Sequence, residues 1–150
     1  MTEQLHILAV DDEKINLSML EEYLERAGYM VLTAESGEEA LEVLKANPKE
    51  IDIILLDRMM PGMDGLEMLR RVKADTSFAH IPVIMQTAAA ATEQVTEGIE
   101  AGAYYYLTKP FDKETLIAIV NSAAQSVEQF HEFTNESYKN FILLDCTQSS

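Results

Sequence analysis

The chain has 150 residues, 47% hydrophobic and 25% charged, a balance that predicts one packed domain and excludes a fibrous or disordered chain. Asp and Glu number 26 against 11 Lys and Arg, a formal charge of −15, so the surface repels phosphate backbones and direct nucleic-acid binding is not expected. The single cysteine, Cys146, excludes an intrachain disulfide and a cysteine metal cluster. The opening MTEQLHILAV has no basic region followed by a long apolar stretch, and no run approaches the ~18 apolar residues of a membrane span. A cytoplasmic protein with no membrane partner is expected.

Short apolar runs alternate with helical patterns along the chain. HILAV (6–10) reads as a first strand. From Ile15 to Ala27, the positions Ile15, Met19, Tyr23 and Ala27, with Leu20 and Leu24, predict a helix closed by Gly28. MVLTA (30–34) is the second strand, and Ser36 three before Glu39 has the spacing of a capping box opening a helix through Ala40, Leu41 and Leu44. IDIILL (51–56) is the third strand, and Asp64 caps a helix with Leu66, Leu69 and Val72 on its apolar face. IPVIMQ (81–86) is the fourth, followed by a helix capped by Thr92, carrying Val95 and Ile99, and ended by Gly102. AYYYL (103–107) is the fifth, and Asp112 caps a last helix with Leu116, Ile119, Val120, Ala123 and Val127 on one face. Most of the runs are continuously apolar, as parallel strands covered on both faces are. Five successive βα units predict a flavodoxin-like, doubly wound α/β fold with a five-stranded parallel sheet, in which ligands bind beyond the carboxyl ends of the strands.

Those ends are polar. The first strand runs into Asp11 and Asp12, the third into Asp57, the fourth into Thr87, and the fifth into Thr108, Lys109 and Pro110. Two carboxylates ~6 Å apart at an effective dielectric of ~20 repel by roughly 3 kcal/mol, so the cluster calls for a cation. Oxygen ligands without sulfur favour Mg²⁺, or Mn²⁺ in its place, over zinc. A carboxylate, a hard cation, a lysine and a hydroxyl suit phosphoryl transfer, with Asp57 as nucleophile, Lys109 neutralising charge and Thr87 donating a hydrogen bond. Each feature alone is common; their conjunction at successive strand ends is specific.

With these residues in place, the chain resembles the receiver domains of two-component response regulators, and is close in length to the stand-alone chemotaxis type. The matching stretches are VDDE (10–13), LLDRMMPGMDG (55–65), QTA (86–88) and YLTKPF (106–111), within a resemblance covering roughly 5–130. It implies that Asp57 accepts a phosphoryl group from a sensor histidine kinase or phosphotransfer protein. It implies Mg²⁺ on Asp12, Asp57 and the backbone carbonyl of Met59, with Asp11 acting mainly through water, and Lys109 paired with the phosphoryl group. Thr87 then turns toward that group, Tyr106 swings into the space left, and the surface of the fourth helix, fifth strand and fifth helix signals to a downstream effector. A cis bond before Pro110 is implied as well. The resemblance implies catalysis only of the chain's own phosphorylation and dephosphorylation, and the latter is expected to be slow, since the positions two after Asp57 and Thr87, which in this family influence the attack of water, are Met59 and Ala89, neither able to orient one.

The competing readings are weaker. The three tyrosines 104–106 pack most simply as strand residues, with Tyr105 facing away from its neighbours, and Pro61, Gly62 and Gly65 read as turn chemistry. HEFTN (131–135) is faintly similar to a kinase phosphoacceptor box, but no ATP-binding region follows. A dehalogenase-type phosphohydrolase needs a second Asp where Met59 stands, and a flavin module needs a phosphate cradle where DDEKIN stands. The alternative function is a phosphorylation-independent interaction domain of the same fold. The domain is expected to span 1–130, with 131–150 a C-terminal extension, helical or a linker to an output domain. Phe130, Phe133, Tyr138, Phe141, Ile142 and Leu144 make that region too apolar to be a solvated tail; it calls for a partner in the same chain, a second copy or an effector domain, of which a homodimer contact is favoured.

Overall fold

The computed structural model describes residues 4–88 and 92–128, with side chains from 94 onward in the second stretch; Ala89, the Thr92 cap and everything expected of the tail after 128 lie outside the described residues. The elements follow in order: β1 (His6–Val10), α1 (Lys14–Arg26), β2 (Met30–Ala34), α2 (Gly37–Ala46), β3 (Ile53–Asp57), α3 (Gly65–Ala74), β4 (Val83–Thr87), α4 (Thr92–Glu100) and β5 (Tyr105–Thr108). A fifth helix, α5, covers 113–128. All four strand pairings are parallel, and the sheet order is β2-β1-β3-β4-β5. The chain moves outward from β1 in one direction to β2 and in the other to β3, so the winding reverses between β1 and β3. This is the flavodoxin-like α/β fold expected.

Alternation along the strands builds two cores. Leu8, Val10, Ile54, Leu56, Val83, Met85 and Tyr106 face one way and pack with Ala40 and Leu44 of α2, Leu69 and Val72 of α3, and Val95 of α4. Ile7, Ala9, Ile53, Leu55, Ile84 and Leu107 face the other way, against Leu17, Leu20 and Leu24 of α1 and Leu116, Val120 and Ala123 of α5. Burial of these faces is the main force holding the helices to the sheet.

The caps form locally. Ser36 Oγ accepts from the Glu39 amide at 3.1 Å, while the Glu39 carboxylate accepts from the Glu35 amide at 3.1 Å. Asp64 accepts from the Glu67 amide at 2.9 Å, and Asp112 from that of Thr115 at 2.7 Å. Gly28 and Gly102 close α1 and α4 with φ of 101° and 107°.

Four expectations need correction. The third, fourth and fifth strands begin about two residues later than their apolar runs and extend to include Asp57, Thr87 and Thr108. Asp52, inside the third run, is drawn to the sheet edge instead, where its carboxylate accepts from the His6 amide at 2.8 Å. Ile15 does not join the core: it is 87% exposed, opposite the buried Leu17, Leu20 and Leu24. A repeat of four drifts ~40° per step on a 3.6-residue helix, so Ile15, Met19, Tyr23 and Ala27 cannot share one face. Ile99 is likewise exposed, and α4 presents Val95 and Gly98 inward instead.

Candidate functional site at the carboxyl edge of the sheet

The site is assembled by strand parity. Asp11 follows Ile7 and Ala9 on the α1/α5 side of the sheet, Asp57 follows Ile53 and Leu55 on that side, and Lys109 follows Leu107. Because β1 and β3 are neighbours, Asp11, Asp12 and Asp57 meet where the winding reverses, with carboxylate oxygens all within 4.8 Å of one another. Asp11 and Asp57 are buried and Asp12 is exposed, so the cluster opens to solvent on one side.

Lys109 closes the opposite side. Its Nζ lies 3.2 Å from Asp11 Oδ2 and 3.6 Å from Asp57 Oδ1. The Lys109 amide donates to the Thr87 carbonyl at 2.7 Å, and the Lys109–Pro110 peptide bond is cis. Asp11 is held further by the Glu13 amide at 2.9 Å and by the Asn16 side-chain amide. Burial pushes the Asp57 carboxyl up to about 6, with Asp11 and then Asp12 raising it too; Lys109 and the Met59 amide, which donates to it, act in the opposite sense. One lysine therefore does not neutralise the cluster.

The donor set fits a hard divalent cation. Three carboxylates converge and remain in mutual repulsion, and among the described residues no nitrogen or sulfur ligand stands with them. Asp11, Asp12 and Asp57 are the groups able to hold such an ion.

Thr87 and Tyr106 occupy the other face. Thr87 is fully buried at the end of β4, on the side of Met85, and Tyr106 pairs with Met85 across the ladder. The Tyr106 ring lies inward against α4: a Cβ built on Gly98 falls 2.7 Å from its Cε2. Tyr104 and Tyr105 are exposed.

Sequence reasoning missed four neighbours of the site. Asn16 sits in the first turn of α1, one helical turn beyond the acidic pair, a spacing that could have marked it. Arg58 is nearly buried and reaches Glu97 of α4 at 3.4 Å, tying the residue after Asp57 to the helix above the switch candidates. Gly65 admits α3 onto the strand, since a Cβ there would lie 2.3 Å from the Asp57 carbonyl oxygen. Gln86, read as the end of an apolar run and as part of the QTA stretch but given no role, is buried on the strand beside Asp57.

The chain belongs to the response regulator receiver domain family, whose sequence model matches residues 7–121. The transcriptional regulatory protein CseB of Streptomyces avermitilis is 40% identical over 122 residues, which are 81% of this chain and 50% of that protein. The phosphate regulon transcriptional regulatory protein PhoB of Pseudomonas aeruginosa is 43% identical over 112 residues, 75% of this chain and 48% of the relative. The chain thus spans about half the length of these curated relatives. Among solved structures, the chemotaxis protein CheY4 of Vibrio cholerae superposes with a TM-score of 0.75 at 36% identity, over 81% of this chain and 99% of that one. Receiver domains are signalling modules that generally bind Mg²⁺ at an acidic pocket and interact with histidine kinases and effectors, and this chain has an Asp cluster. Among the described residues no helix is long and apolar enough to cross a membrane.

Proposed function

We propose that the chain is a phosphoacceptor receiver in cytoplasmic two-component signalling, in which Asp57 takes a phosphoryl group from a histidine kinase or phosphotransfer protein. The observation that carries this reading is the convergence of three strand-end carboxylates within 4.8 Å, with Lys109 against two of them. An ionised Asp57 oxygen forms the bond to phosphorus, the bond from phosphorus to the donor breaks, and the donor leaves with its electron pair. Lys109, 3.6 Å from the accepting carboxylate, offsets the charge gathered there. Asp11, Asp12 and Asp57, with the Met59 backbone carbonyl, would hold Mg²⁺ or Mn²⁺, which would supply positive charge for the phosphoryl oxygens. The burial of Asp57 beside two other carboxylates favours that cation before phosphorylation.

Thr87 and Tyr106 carry the change outward. Both lie on the α4 side of the sheet, and Tyr106 touches Gly98, so a shift at Thr87 reaches the surface of α4, β5 and α5 that a downstream effector reads. The receiver is assigned to residues 1–130, with 131–150 a C-terminal extension. With Met59 and Ala89 unable to orient an attacking water, the phosphoryl group is lost slowly.

The test is intact-mass measurement after incubation with acetyl phosphate and Mg²⁺. One phosphoryl group is expected on the wild type, none in EDTA and none on Asp57→Asn. An unmodified wild type, or a modified Asp57→Asn, overturns the proposal.

A further inference from the structure

Next to the acidic cluster stands a side chain that phosphoryl acceptance, as described so far, leaves without a task. Gln86 is 0% exposed, and neither its Nε2 nor its Oε1 has a hydrogen-bond partner among the described residues. Its place in the sheet is fixed by register: its Cα is paired with Asp57 on β3 and with Leu107 on β5. Parity puts its side chain on the face of Ile84, which packs with Leu55 and Leu107. That is also the face used by Asp11, Asp57 and Lys109. Register and parity therefore place a carboxamide on the neighbouring strand, on the same face as the accepting carboxylate. It is not among the groups holding that carboxylate, which are Lys109 and the Met59 amide.

A buried amide with both ends stranded is unfavourable, and leucine or methionine would fill the same volume without that cost. The residue makes physical sense if a partner arrives. A phosphoryl group on Asp57 brings oxygens that need donors, and Met59, the exposed side chain nearest along the chain, has no N–H or O–H in its side chain to offer. Gln86 adds a donor without adding a charge. Being walled off from solvent, it cannot direct a water that enters from the open side by Asp12; it can only hold the group.

We propose that Gln86 is a binding residue for the phosphoryl group, its Nε2 donating to a phosphoryl oxygen when Asp57 carries one and standing without a partner when Asp57 is free. This rests on Asp57 being the phosphoacceptor.

The experiment is calorimetric titration of the wild type, Gln86→Met and Gln86→Leu with beryllofluoride in Mg²⁺, beside thermal melting of the metal-free proteins. Beryllofluoride on a carboxylate stands in for the phosphoryl group. Titrations are run well below the Tm of each variant, and Gln86→Met, unbranched like glutamine, decides the matter if Gln86→Leu does not fold. The expected result is binding about tenfold or more weaker in the variants, as for loss of a hydrogen bond to a charged acceptor, with a Tm equal to or above that of the wild type. Wild-type affinity in the variants, whatever their Tm, overturns the assignment. A wild type that does not bind beryllofluoride overturns instead the phosphoacceptor reading beneath it.

Discussion

Replacing Asp57 by Asn should stabilise the metal-free protein, although it removes the residue on which the site depends. The carboxyl of Asp57 is pushed up to about 6 in the folded chain from 3.8, chiefly by burial and then by Asp11. At about 1.4 kcal/mol per tenfold change in proton affinity, keeping it ionised in the folded state costs about 3 kcal/mol relative to the unfolded chain. The sign follows from proton binding. Between about pH 4 and 6 the folded chain holds a proton that the unfolded chain has released, so wild-type stability falls as pH rises through that window. Below it both states are protonated and the cost vanishes; above it the cost is complete. Asn resembles the protonated carboxyl and never carries the charge. In EDTA at pH 8, Asp57→Asn should therefore be more stable by about 3 kcal/mol, which for a chain of this size raises Tm by roughly 6–12 °C. Near pH 4 most of that gain should disappear, and millimolar Mg²⁺ at pH 8 should narrow it by binding the wild type more tightly. Urea unfolding at both pH values, with and without Mg²⁺, measures all of this. An Asn variant no more stable than the wild type at pH 8 in EDTA would refute the reasoning, because burial and the neighbouring carboxylates would then not be penalising the charge on Asp57.

Four further substitutions probe the frame of the site. Gly65→Ala places a methyl group 2.3 Å from the Asp57 carbonyl oxygen, backbone that cannot move aside; a loss of about 2–3 kcal/mol in urea unfolding is expected, and a neutral result would mean that α3 does not press on β3. Glu97→Ala leaves the nearly buried Arg58 without its partner and should cost about 2 kcal/mol, whereas Arg58→Met leaves a half-exposed Glu97 in water and should cost less; equal costs in a double-mutant cycle would show that burial of Arg58 does not matter. Lys109→Met strips the fully buried Asp11 of its only cationic neighbour among the described residues and should slow phosphorylation by acetyl phosphate by about 100-fold or more, as loss of a charged group at a transferring phosphoryl centre does; a rate within a few-fold of wild type would remove Lys109 from the chemistry.

How far the sequence could be read depended on what each signal encodes. Uninterrupted apolar runs between capped helices defined the parallel sheet, and the caps at Ser36, Asp64 and Asp112 formed as spaced. The acidic cluster was legible because strand ends in this topology lie along one edge, so Asp11, Asp57 and Lys109 could be placed together without knowing any contact. Parity within a strand separated Tyr105 from Tyr106 correctly in direction. What failed were positions where periodicity alone assigns no face. Ile15 and Ile99 are apolar yet exposed, because the buried stripe of each helix is set by how it lies on the sheet. Arg58, Gln86 and Gly65 were missed for a different reason. Their surroundings come from other elements: Glu97 on α4 for Arg58, Asp57 across the ladder for Gln86, and the end of β3 pressed by α3 for Gly65. No spacing rule within one segment carries that information.

The most direct measurement of the central claim is chemical trapping of the modified residue. The protein is incubated with a histidine-kinase or small-molecule phosphodonor and Mg²⁺, then reduced with borohydride, which converts an aspartyl phosphate to homoserine, and mapped by peptide sequencing. Homoserine at position 57 alone is the predicted result. Homoserine at Asp11 or Asp12 with Asp57 untouched, or phosphate retained on a histidine or serine, would contradict it.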